Sequence, residues 1–568
     1  MTACPKQSLP AAQAGVHLDL LGPERPAGVD RQRADCEAHC LAEGVRNIDG
    51  DEGEASTVTG TSPSSAGSAV RLVAAIAVLG WLARLAPLVL HGPLAAPVDY
   101  DEGVYLSAAA LLARGHELYA DFVVVHPPGL FYLLAPFTFL GRPSTALFVT
   151  QAAMTVVGAV NIHLVGRIAL RVASPAAAIA GALVYAFFPE AVRSEHGVFL
   201  EPVLNLLCLS AVLLWLPGDQ NGRAETADRR AWAAGLLLGA ATAVKLWGAF
   251  ALMACLVTAG SRRWRDVWRL VGGAGIAFVV LVAPVALPYP GRFFELVVRF
   301  QLRRPPEPLP FVDRIRLILF NPTTPGAGLL DNRSLIGAAI VAIALMALLM
   351  GARSRLLRFA LLWYILIVGA FLMSASYFDQ YNAHLAPALA LLGAGATDEL
   401  LRGLQDREHL RRRLTGAAAA LVLCAAFLVA VRGVVRDSGR RTTDLMLIGE
   451  AIQAQGGVCV FSFEPQWLLA ADRLPDPGRF GPMAVDTYAA QLDAVVWSGR
   501  SPRDAPAAFD DPASAAVVAR AVEGCDAVAI GDRGRRQLGS LLPAFLQSFH
   551  RVAATSEAGP DLWLRNGS

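Results

Sequence analysis

Three acidic side chains stand close together in one short segment of the sequence, Val98–Tyr105. They are Asp99, Asp101 and Glu102. Because neighbouring carboxylates repel each other, such a cluster costs free energy unless a cation or a transferred proton makes use of it. The segment is therefore either a solvated loop with an acidic helix cap or a site in which a carboxylate acts as a general base.

Further polar segments combine acidic, basic and aromatic side chains. Aromatic rings beside carboxylates suit a sugar, which offers apolar ring faces for stacking and hydroxyl groups for hydrogen bonding. The acid that opens an apolar helix, Glu201, could instead be a favourable charge at a helix N-terminus. The candidates for substrate binding are Tyr105, His126, Arg193, His196, Glu201, Tyr377, Asp379, Tyr381 and His384.

Lysine is almost absent from the chain, whose only lysines are Lys6 and Lys245. Lys245 ends one apolar stretch and is followed at once by another. A lysine at the centre of a bilayer costs about 3 kcal/mol, so it needs a partner or a position near the interface. Two interpretations stay open for Lys245: a snorkelling anchor, or a ligand for a phosphate group.

The composition that surrounds these residues is typical of a membrane protein. Of the 568 residues, 55% are hydrophobic and 17% are charged, whereas a soluble domain carries about a quarter charged residues. The net charge of +2 gives no reason to expect a nucleic-acid partner. We predict a polytopic α-helical membrane protein with about eleven transmembrane helices. The candidate spans are residues 70–90, 146–168, 176–189, 200–216, 231–245, 246–259, 269–289, 334–351, 358–375, 384–397 and 415–433.

The basic residues of the short loops predict an orientation in the membrane. With the N-terminus in the cytoplasm, the inner loops hold most of the arginines, and the short outer loops 190–199 and 376–383 hold only Arg193. An odd number of spans then places residues 434–568 outside. The longer outer loop 290–333 is rich in arginine. It is either an amphipathic helix on anionic headgroups or a clamp for a phosphate-bearing lipid.

We predict three parts along the chain. Residues 1–68 contain no apolar segment and are expected to form a disordered cytoplasmic tail. Residues 69–435 are expected to form a transmembrane catalytic domain, and residues 436–568 a small extracytoplasmic α/β domain.

The predicted C-terminal domain contains two segments with the pattern of short buried strands, Gly457–Phe463 and Cys525–Ile530. It has no glycine-rich phosphate loop and no nucleophile motif, so we expect it to shape access to a site. Outside the cytoplasm a disulfide between Cys459 and Cys525 would be chemically allowed, and the sequence does not decide whether it forms.

Together these features resemble the GT-C superfamily of membrane glycosyltransferases, and in particular the protein O-mannosyltransferases and lipid A aminoarabinose transferases. The resemblance covers about residues 70–435 and rests on the order and sidedness of short motifs. His126 stands where the aminoarabinose transferases have a lysine. The matching pieces are Asp101 and Glu102 with Tyr105 a turn later, the pair Pro127 and Pro128, Glu201 at a helix start, a helix with Gly235, Gly239 and Lys245, and the aromatic-rich loop 377–384.

The resemblance implies an enzyme that transfers a sugar from a polyprenyl-phosphate-linked donor to an acceptor hydroxyl of a glycan, lipid or protein in the cell envelope. Asp101 matches the catalytic Asp of the family and would be the general base. Glu102 would orient the acceptor or bind a metal. Lys245 and His126 would hold the donor phosphate. Since one carboxylate suffices for a single displacement, we expect inversion at the sugar.

No cluster of His and Cys predicts a zinc site, and the sequence leaves a magnesium or manganese requirement open. Two other classes of function remain as alternatives. A secondary transporter would show an internal repeat and carboxylates in mid-span, whereas these carboxylates lie in outer loops. A non-catalytic assembly or anchoring protein would leave the acidic outer loops unexplained.

Overall fold

The computed structural model of the chain describes residues 63–91, 99–216, 224–260, 264–320, 354–403, 444–555 and 559–567. As far as residue 403, the described part is built from helices. In chain order they are α1 Pro63–His91, α2 Tyr100–Ala113, α3 Gly129–Leu134, α4 Pro143–Val172, α5 Pro175–Phe187, α6 Pro189–Ser194, α7 Leu200–Trp215, α8 Ala224–Val244, α9 Gly248–Val257, α10 Trp264–Ala286, α11 Pro290–Phe293, α12 Phe300–Arg303, α13 Phe311–Phe320, α14 Arg355–Met373 and α15 Leu385–Gly403.

Several of these helices are long and apolar enough, by length and composition, to cross a bilayer. Within the described residues there are four: Gly67–Val89, Pro143–Val172, Trp264–Ala286 and Arg355–Met373. Shorter apolar helices lie at Gly129–Phe139, Pro175–Phe187, Leu200–Trp215 and Gly248–Val257. The predicted spans 334–351 and 415–433 lie outside the described residues, so the number of spans stays a prediction.

Proline defines the start of many helices. The first residue of α1, α4, α5 and α6 is a proline, whose fixed φ suits the first turn and whose missing N–H is not needed there. The Ser174 hydroxyl caps α5 by accepting from Ala177 N at 3.3 Å. Helix α1 begins at Pro63, so residues 63–68, predicted to belong to the disordered tail, are helical.

Small residues bring α8 and α10 into close contact. Gly235 and Gly239 of α8 face the backbone of α10 at Leu270 and Ala274, where a Cβ atom would meet main-chain atoms. Such close approach is the usual way in which membrane helices pack. The glycine pair that the sequence singled out therefore fixes the helix that ends next to Lys245.

The acidic segment after α1, predicted as an outer loop, is the start of helix α2. Most of α2 is buried, and its second half is packed through small residues such as Ala108 and Ala109. The acidic residues of this first turn led to the prediction of a loop, but acidic residues are also favourable at a helix N-terminus.

The C-terminal region, residues 444–555 and 559–567, is helical at 444–454 and then contains strands and short helices. In chain order these are β1 Val460–Ser462, α16 Pro465–Ala470, α17 Pro477–Phe480, α18 Thr487–Trp497, α19 Ala505–Phe509, α20 Pro512–Glu523, β2 Ala527–Ile530, α21 Asp532–Leu538, α22 Leu542–Gln547, β3 Phe549–Ala554 and β4 Asp561–Arg565. The strands form one sheet with order β1-β2-β4-β3. β1 and β2 are parallel, with Phe461 beside Val528, and β4 is antiparallel to β2 and β3.

The parallel strands β1 and β2 lie inside the segments predicted as short buried strands, and every residue in them is buried. A disulfide joins Cys459 and Cys525, which lie just before β1 and β2, with a Cα–Cα distance of 5.0 Å. The sequence had left this bond undecided. It crosslinks the two parallel strands at the end where their pairing begins.

The C-terminal region packs directly on the helical part of the chain. Helix α16 lies on α2, where Gly103 faces the backbone of Gln466. Ala505 N donates to Pro306 O at 2.9 Å, and Arg292 pairs with Asp493 at 3.0 Å. The C-terminal region therefore contacts both α2 and the segment around residues 292–306.

Candidate active site

Two of the three clustered carboxylates form the cap of helix α2. Asp99 is the N-cap residue and accepts from Tyr100 N at 2.6 Å, while Glu102 Oε2 accepts from Asp99 N at 3.0 Å. This reciprocal arrangement is a capping box. Asp101 takes no part in it, so the helix-cap interpretation explains Asp99 and Glu102 but leaves Asp101 available for chemistry.

Glu102 holds α2 in place from within the helical part. Its side chain is fully buried, and Oε1 accepts from Gln151 Nε2 at 3.1 Å and from Val198 N at 2.5 Å. Burial raises the pKa of Glu102 to about 7, against the three donors that favour its charged form. Both oxygens of Glu102 are therefore occupied by protein donors, which gives it a positioning role.

Replacing Glu102 by Gln should mainly destabilise the protein, because the new NH₂ group must face one of three N–H donors. We expect a loss of about 1–3 kcal/mol in folding stability, measured as a lower melting temperature in detergent. Transfer per folded molecule should fall less than for an Asp101 variant. A normal melting temperature combined with an equally large loss of transfer would make Glu102 a catalytic residue instead.

Asp101 is half-buried in the first turn of α2 and accepts a hydrogen bond from Gln380 Nε2 at 3.2 Å. Burial raises its pKa to about 7, together with the nearby charges of Asp99, Asp486 and Glu201, while the Arg533 guanidinium opposes this rise. A carboxyl with a pKa near neutral pH can exchange a proton with a hydroxyl more readily than one with an ordinary pKa.

The 3₁₀ turn Asp379–His384 links the acidic cluster to Lys245. Arg193 forms an ion pair with Asp379 and lies 3.5 Å from Asp99. The next residue of the turn, Gln380, contacts Asp101, and the Tyr381 ring follows below the Lys245 ammonium. Asp101, Glu201, Lys245 and Asp379 therefore belong to one connected cluster, although they come from distant segments.

Lys245 is buried at the end of α8 and pairs with Glu201 Oε1 at 2.6 Å. Its Nζ lies 3.4 Å from the centroid of the Trp247 ring and 4.4 Å from that of Tyr381. An ammonium between two aromatic faces and one carboxylate is stabilised by cation–π attraction as well as by its ion pair. The snorkelling interpretation does not describe this geometry, since the charged end is enclosed.

His126 lies beside the Tyr105 ring and near the charges of Lys245 and Arg304. Its Nε2 is 3.5 Å from Tyr105 Oη, and the two rings meet edge to face. Burial and the charges of Lys245 and Arg304 lower the pKa of His126 well below its usual range. His126 is therefore a neutral imidazole that can exchange hydrogen bonds but adds no positive charge.

Arg304, from the arginine-rich segment 290–333, lies close enough to this cluster for its charge to act on His126. It is buried, it donates to Tyr488 Oη at 3.5 Å, and it lies 3.8 Å from Glu307. Its Nε has no hydrogen-bond partner among the described residues. By contrast, Arg292 and Arg299 of the same loop pair with Asp493 and Glu295.

Three of the predicted substrate-binding residues make hydrogen-bond contacts with other protein groups. His196 is buried and its Nδ1 contacts Val192 O at 2.8 Å. Tyr377 donates to Asn382 Oδ1 at 2.5 Å, and His384 Nδ1 contacts Asn205 Oδ1 at 2.8 Å. Each of these contacts is made to the protein itself, and those of Tyr377 and His384 fit a role in holding the turn at 379–384.

The C-terminal region contributes groups that the sequence did not indicate. Tyr100 Oη donates to Asp486 Oδ1 at 2.9 Å and accepts from Tyr488 N at 3.1 Å. Arg533 lies with its guanidinium carbon 3.9 Å from the centroid of the Tyr100 ring. No local pattern marks Arg533 among the many arginines of this chain, so only the tertiary structure identifies it.

A buried ion pair inside the helical part also escaped the sequence analysis. Arg84 Nε donates to Glu195 Oε2 at 2.7 Å, and Glu195 Oε1 accepts from Tyr185 and Asn161 at 2.7 and 2.8 Å. A lone arginine in an apolar span requires a partner, and that requirement was the available signal. The pair joins α1, α4 and α5 and fixes the segment that precedes α7.

The chain is similar to known glycosyltransferases in part of its sequence and in its fold. Residues 124–375 match the model of glycosyltransferase family 87. No curated protein matches the chain in sequence. The chain is similar in structure to ArnT from Cupriavidus metallidurans in the apo state, with 16% identity and a TM-score of 0.57 over 88% of this chain and 98% of that one.

Two further solved structures are also similar to the chain. ArnT from Cupriavidus metallidurans bound to undecaprenyl phosphate has 15% identity and a TM-score of 0.52, over 88% of this chain and 98% of that one. AglB, an oligosaccharyltransferase from Archaeoglobus fulgidus solved with an inhibitory peptide and a dolichol-phosphate, has 13% identity and a TM-score of 0.49 over 88% and 74%.

The chain is therefore a polytopic helical membrane protein with the fold of ArnT, and the resemblance to GT-C glycosyltransferases that the sequence predicted is confirmed. Of the three classes of function left open by the sequence, this match favours the glycosyltransferase over the transporter and the anchoring protein. In the part of the chain that the structure describes, no three His, Cys, Asp or Glu side chains are grouped as a metal site.

Proposed function

We propose that this protein transfers a sugar from a polyprenyl-phosphate-linked donor to an acceptor hydroxyl on the extracytoplasmic side of the membrane, with inversion. The observation that carries the proposal is the state of Asp101. It is the one member of the acidic cluster that is free of the helix cap, it is half-buried, and the charges of Arg533 and Lys245 lie near enough to act on it. A general base for a hydroxyl nucleophile requires such a position.

The donor phosphate would lie against the basic side of the cluster. Arg304 offers an Nε without a partner among the described residues, Lys245 offers the N–H groups that Glu201 does not use, and His126 can donate one hydrogen bond. Preorganised donors of this kind stabilise the charge that develops on a leaving phosphate. The binding of undecaprenyl phosphate by ArnT, which has the same fold, supports a polyprenyl phosphate as the carrier.

The reaction then proceeds in one displacement. Asp101 takes the proton of the acceptor hydroxyl as that oxygen attacks the anomeric carbon of the sugar. The bond from this carbon to the phosphate oxygen breaks, and the polyprenyl phosphate leaves with the electron pair. Because attack and departure occur on opposite faces, the anomeric configuration inverts.

The experiment that tests this function uses membranes containing the full chain and a panel of polyprenyl-phosphate-linked sugars, with nucleotide sugars as the comparison. We expect one or more of the lipid-linked sugars to be consumed, free polyprenyl phosphate to appear in equal amount, and the product to have the inverted configuration by NMR. Transfer directly from a nucleotide sugar, or consumption of no lipid-linked sugar by folded protein, would contradict the proposal.

The proposed sidedness gives a separate prediction. A reporter that is active only outside the cytoplasm, fused after residue 440, should be active, because the N-terminus is inside and the number of spans is odd. The matched control is a cytoplasm-only reporter at the same position, which should be inactive. The opposite pattern for the two reporters would show that one span has been miscounted.

A further inference from the structure

We propose that Arg533 of the C-terminal region is a positioning residue for the transfer reaction, which acts by holding Asp101 in its ionised form from across the interface with α2. The inference rests on the proposed function, since it concerns the general base of that reaction. It assigns the C-terminal region a part in the chemistry, beyond shaping access to the site.

The geometry fixes Arg533 next to the start of α2. Its guanidinium carbon lies 3.9 Å from the centroid of the Tyr100 ring, a distance typical of stacked arginine. Tyr100 directly precedes Asp101, and its hydroxyl is held by Asp486 at 2.9 Å and by Tyr488 N at 3.1 Å. The Tyr100 side chain therefore connects the first turn of α2 to Arg533.

The groups that face Asp101 come from several elements, and most of them are acidic. Asp99 precedes α2, Glu201 is on α7, and Asp486 lies before α18, so each of these carboxylates opposes the ionisation of Asp101. Uncharged groups complete the surroundings: Gln380 donates to Asp101, and the rings of Tyr105 and Tyr381 lie nearby.

The cations near Asp101 differ in whether they already form a direct ion pair with another carboxylate. Lys245 pairs with Glu201 at 2.6 Å, and Arg193 pairs with Asp379 and lies 3.5 Å from Asp99. Arg533 makes no direct ion pair within the described part of the chain and instead lies among Glu464, Asp99 and Asp101. The Arg533 charge therefore acts on several carboxylates at once, including Asp101. A group that lowers the pKa of the general base requires such a position.

The consequence is a change in pH dependence when Arg533 is removed. A base must be ionised, so transfer falls as the pH drops through the pKa of Asp101, which is about 7 in the intact protein. Without the guanidinium this pKa rises, and the acid limb of the rate profile should move to higher pH by on the order of one unit. Removing the Asp99 charge should move it to lower pH.

The test is the pH profile of donor-dependent transfer by the full chain in detergent, for wild type, Arg533→Gln, Arg533→Lys and Asp99→Asn. Asn preserves the N-cap that Asp99 provides. We expect the ratio of the Arg533→Gln rate to the wild-type rate to be about tenfold lower on the acid side than on the alkaline plateau. Arg533→Lys should restore most of the profile, and Asp99→Asn should shift in the opposite direction.

Arg536→Gln is the matched control, because Arg536 lies on the same helix α21 and is exposed. It should leave the profile unchanged. If Arg533→Gln lowers the rate by the same factor at every pH, its role is only to dock the C-terminal region and the inference is wrong. An unchanged profile for Arg533→Gln would also overturn it. Absence of transfer by wild type at every pH would instead count against the proposed function.

Discussion

Replacing Asp101 with Asn is expected to lower the maximal rate of sugar transfer by about 10²-fold or more. The amide keeps the shape of the carboxylate and can still accept the hydrogen bond from Gln380, which is 3.2 Å long. It cannot take the proton of an acceptor hydroxyl. Because Asp101 takes no part in the capping box, the helix and the fold should be preserved, and donor binding should change little.

The measurement is the transfer rate at saturating donor, normalised to folded protein in the same membranes. Glu102→Gln is the informative neighbour, since it alters the adjacent carboxyl and is expected to affect stability more than chemistry. Asp101→Glu should recover little activity, because the longer side chain displaces the base relative to the acceptor. Near-normal turnover by Asp101→Asn at normal protein levels would remove Asp101 from the role of base.

Replacing Lys245 with Ala should reduce the use of the donor on the order of 10²-fold, because a preorganised cation for the leaving phosphate is lost. Lys245→Arg should rescue this only in part. The ammonium is a compact charge enclosed by Trp247 at 3.4 Å and Tyr381 at 4.4 Å, and the wide planar guanidinium does not fit the same space. The measurement is the dependence of the transfer rate on donor concentration.

Because Lys245 forms an ion pair with Glu201, the single variant can lose activity through loss of folded protein, and a double variant is needed to separate the two effects. Removing Lys245 leaves Glu201 as an uncompensated buried charge, which alone destabilises a protein by about 3–5 kcal/mol. The double variant Lys245→Ala with Glu201→Gln removes both charges and should restore the amount of folded protein but not the use of the donor. If the double variant comes within about twofold of wild type in donor dependence, Lys245 serves only to neutralise Glu201. The phosphate contact would then fall to Arg304.

The single sequence predicted the class of protein because hydrophobicity and motif order are local properties. Apolar stretches predicted helices such as α1, α4 and α14, since a helix is the structure that satisfies its own backbone inside a bilayer. The order of the short motifs that include Asp101, Glu201 and Lys245 resembles that of GT-C glycosyltransferases, a class that the family match and the fold support. The parallel strands β1 and β2 were also predicted, because short buried strands have a recognisable pattern.

The sequence could not divide the acidic cluster between structure and chemistry. Asp99, Asp101 and Glu102 all carry a carboxylate. The structure shows that Asp99 and Glu102 form the capping box, whereas Asp101 remains available. The partner of Lys245 was likewise undetermined, because Glu201 lies on a distant helix and an ion pair between them depends on how α7 and α8 pack.

The sequence by itself therefore determined the apolar helices and a set of candidate residues that includes Asp101 and Lys245, because both follow from side-chain type and local sequence pattern. Only the tertiary structure decided that the C-terminal region lies on α2 and brings Arg533 onto Tyr100 beside Asp101. Arg533 is more than four hundred residues away in the chain, and a contact of that kind arises from packing, which no local pattern encodes.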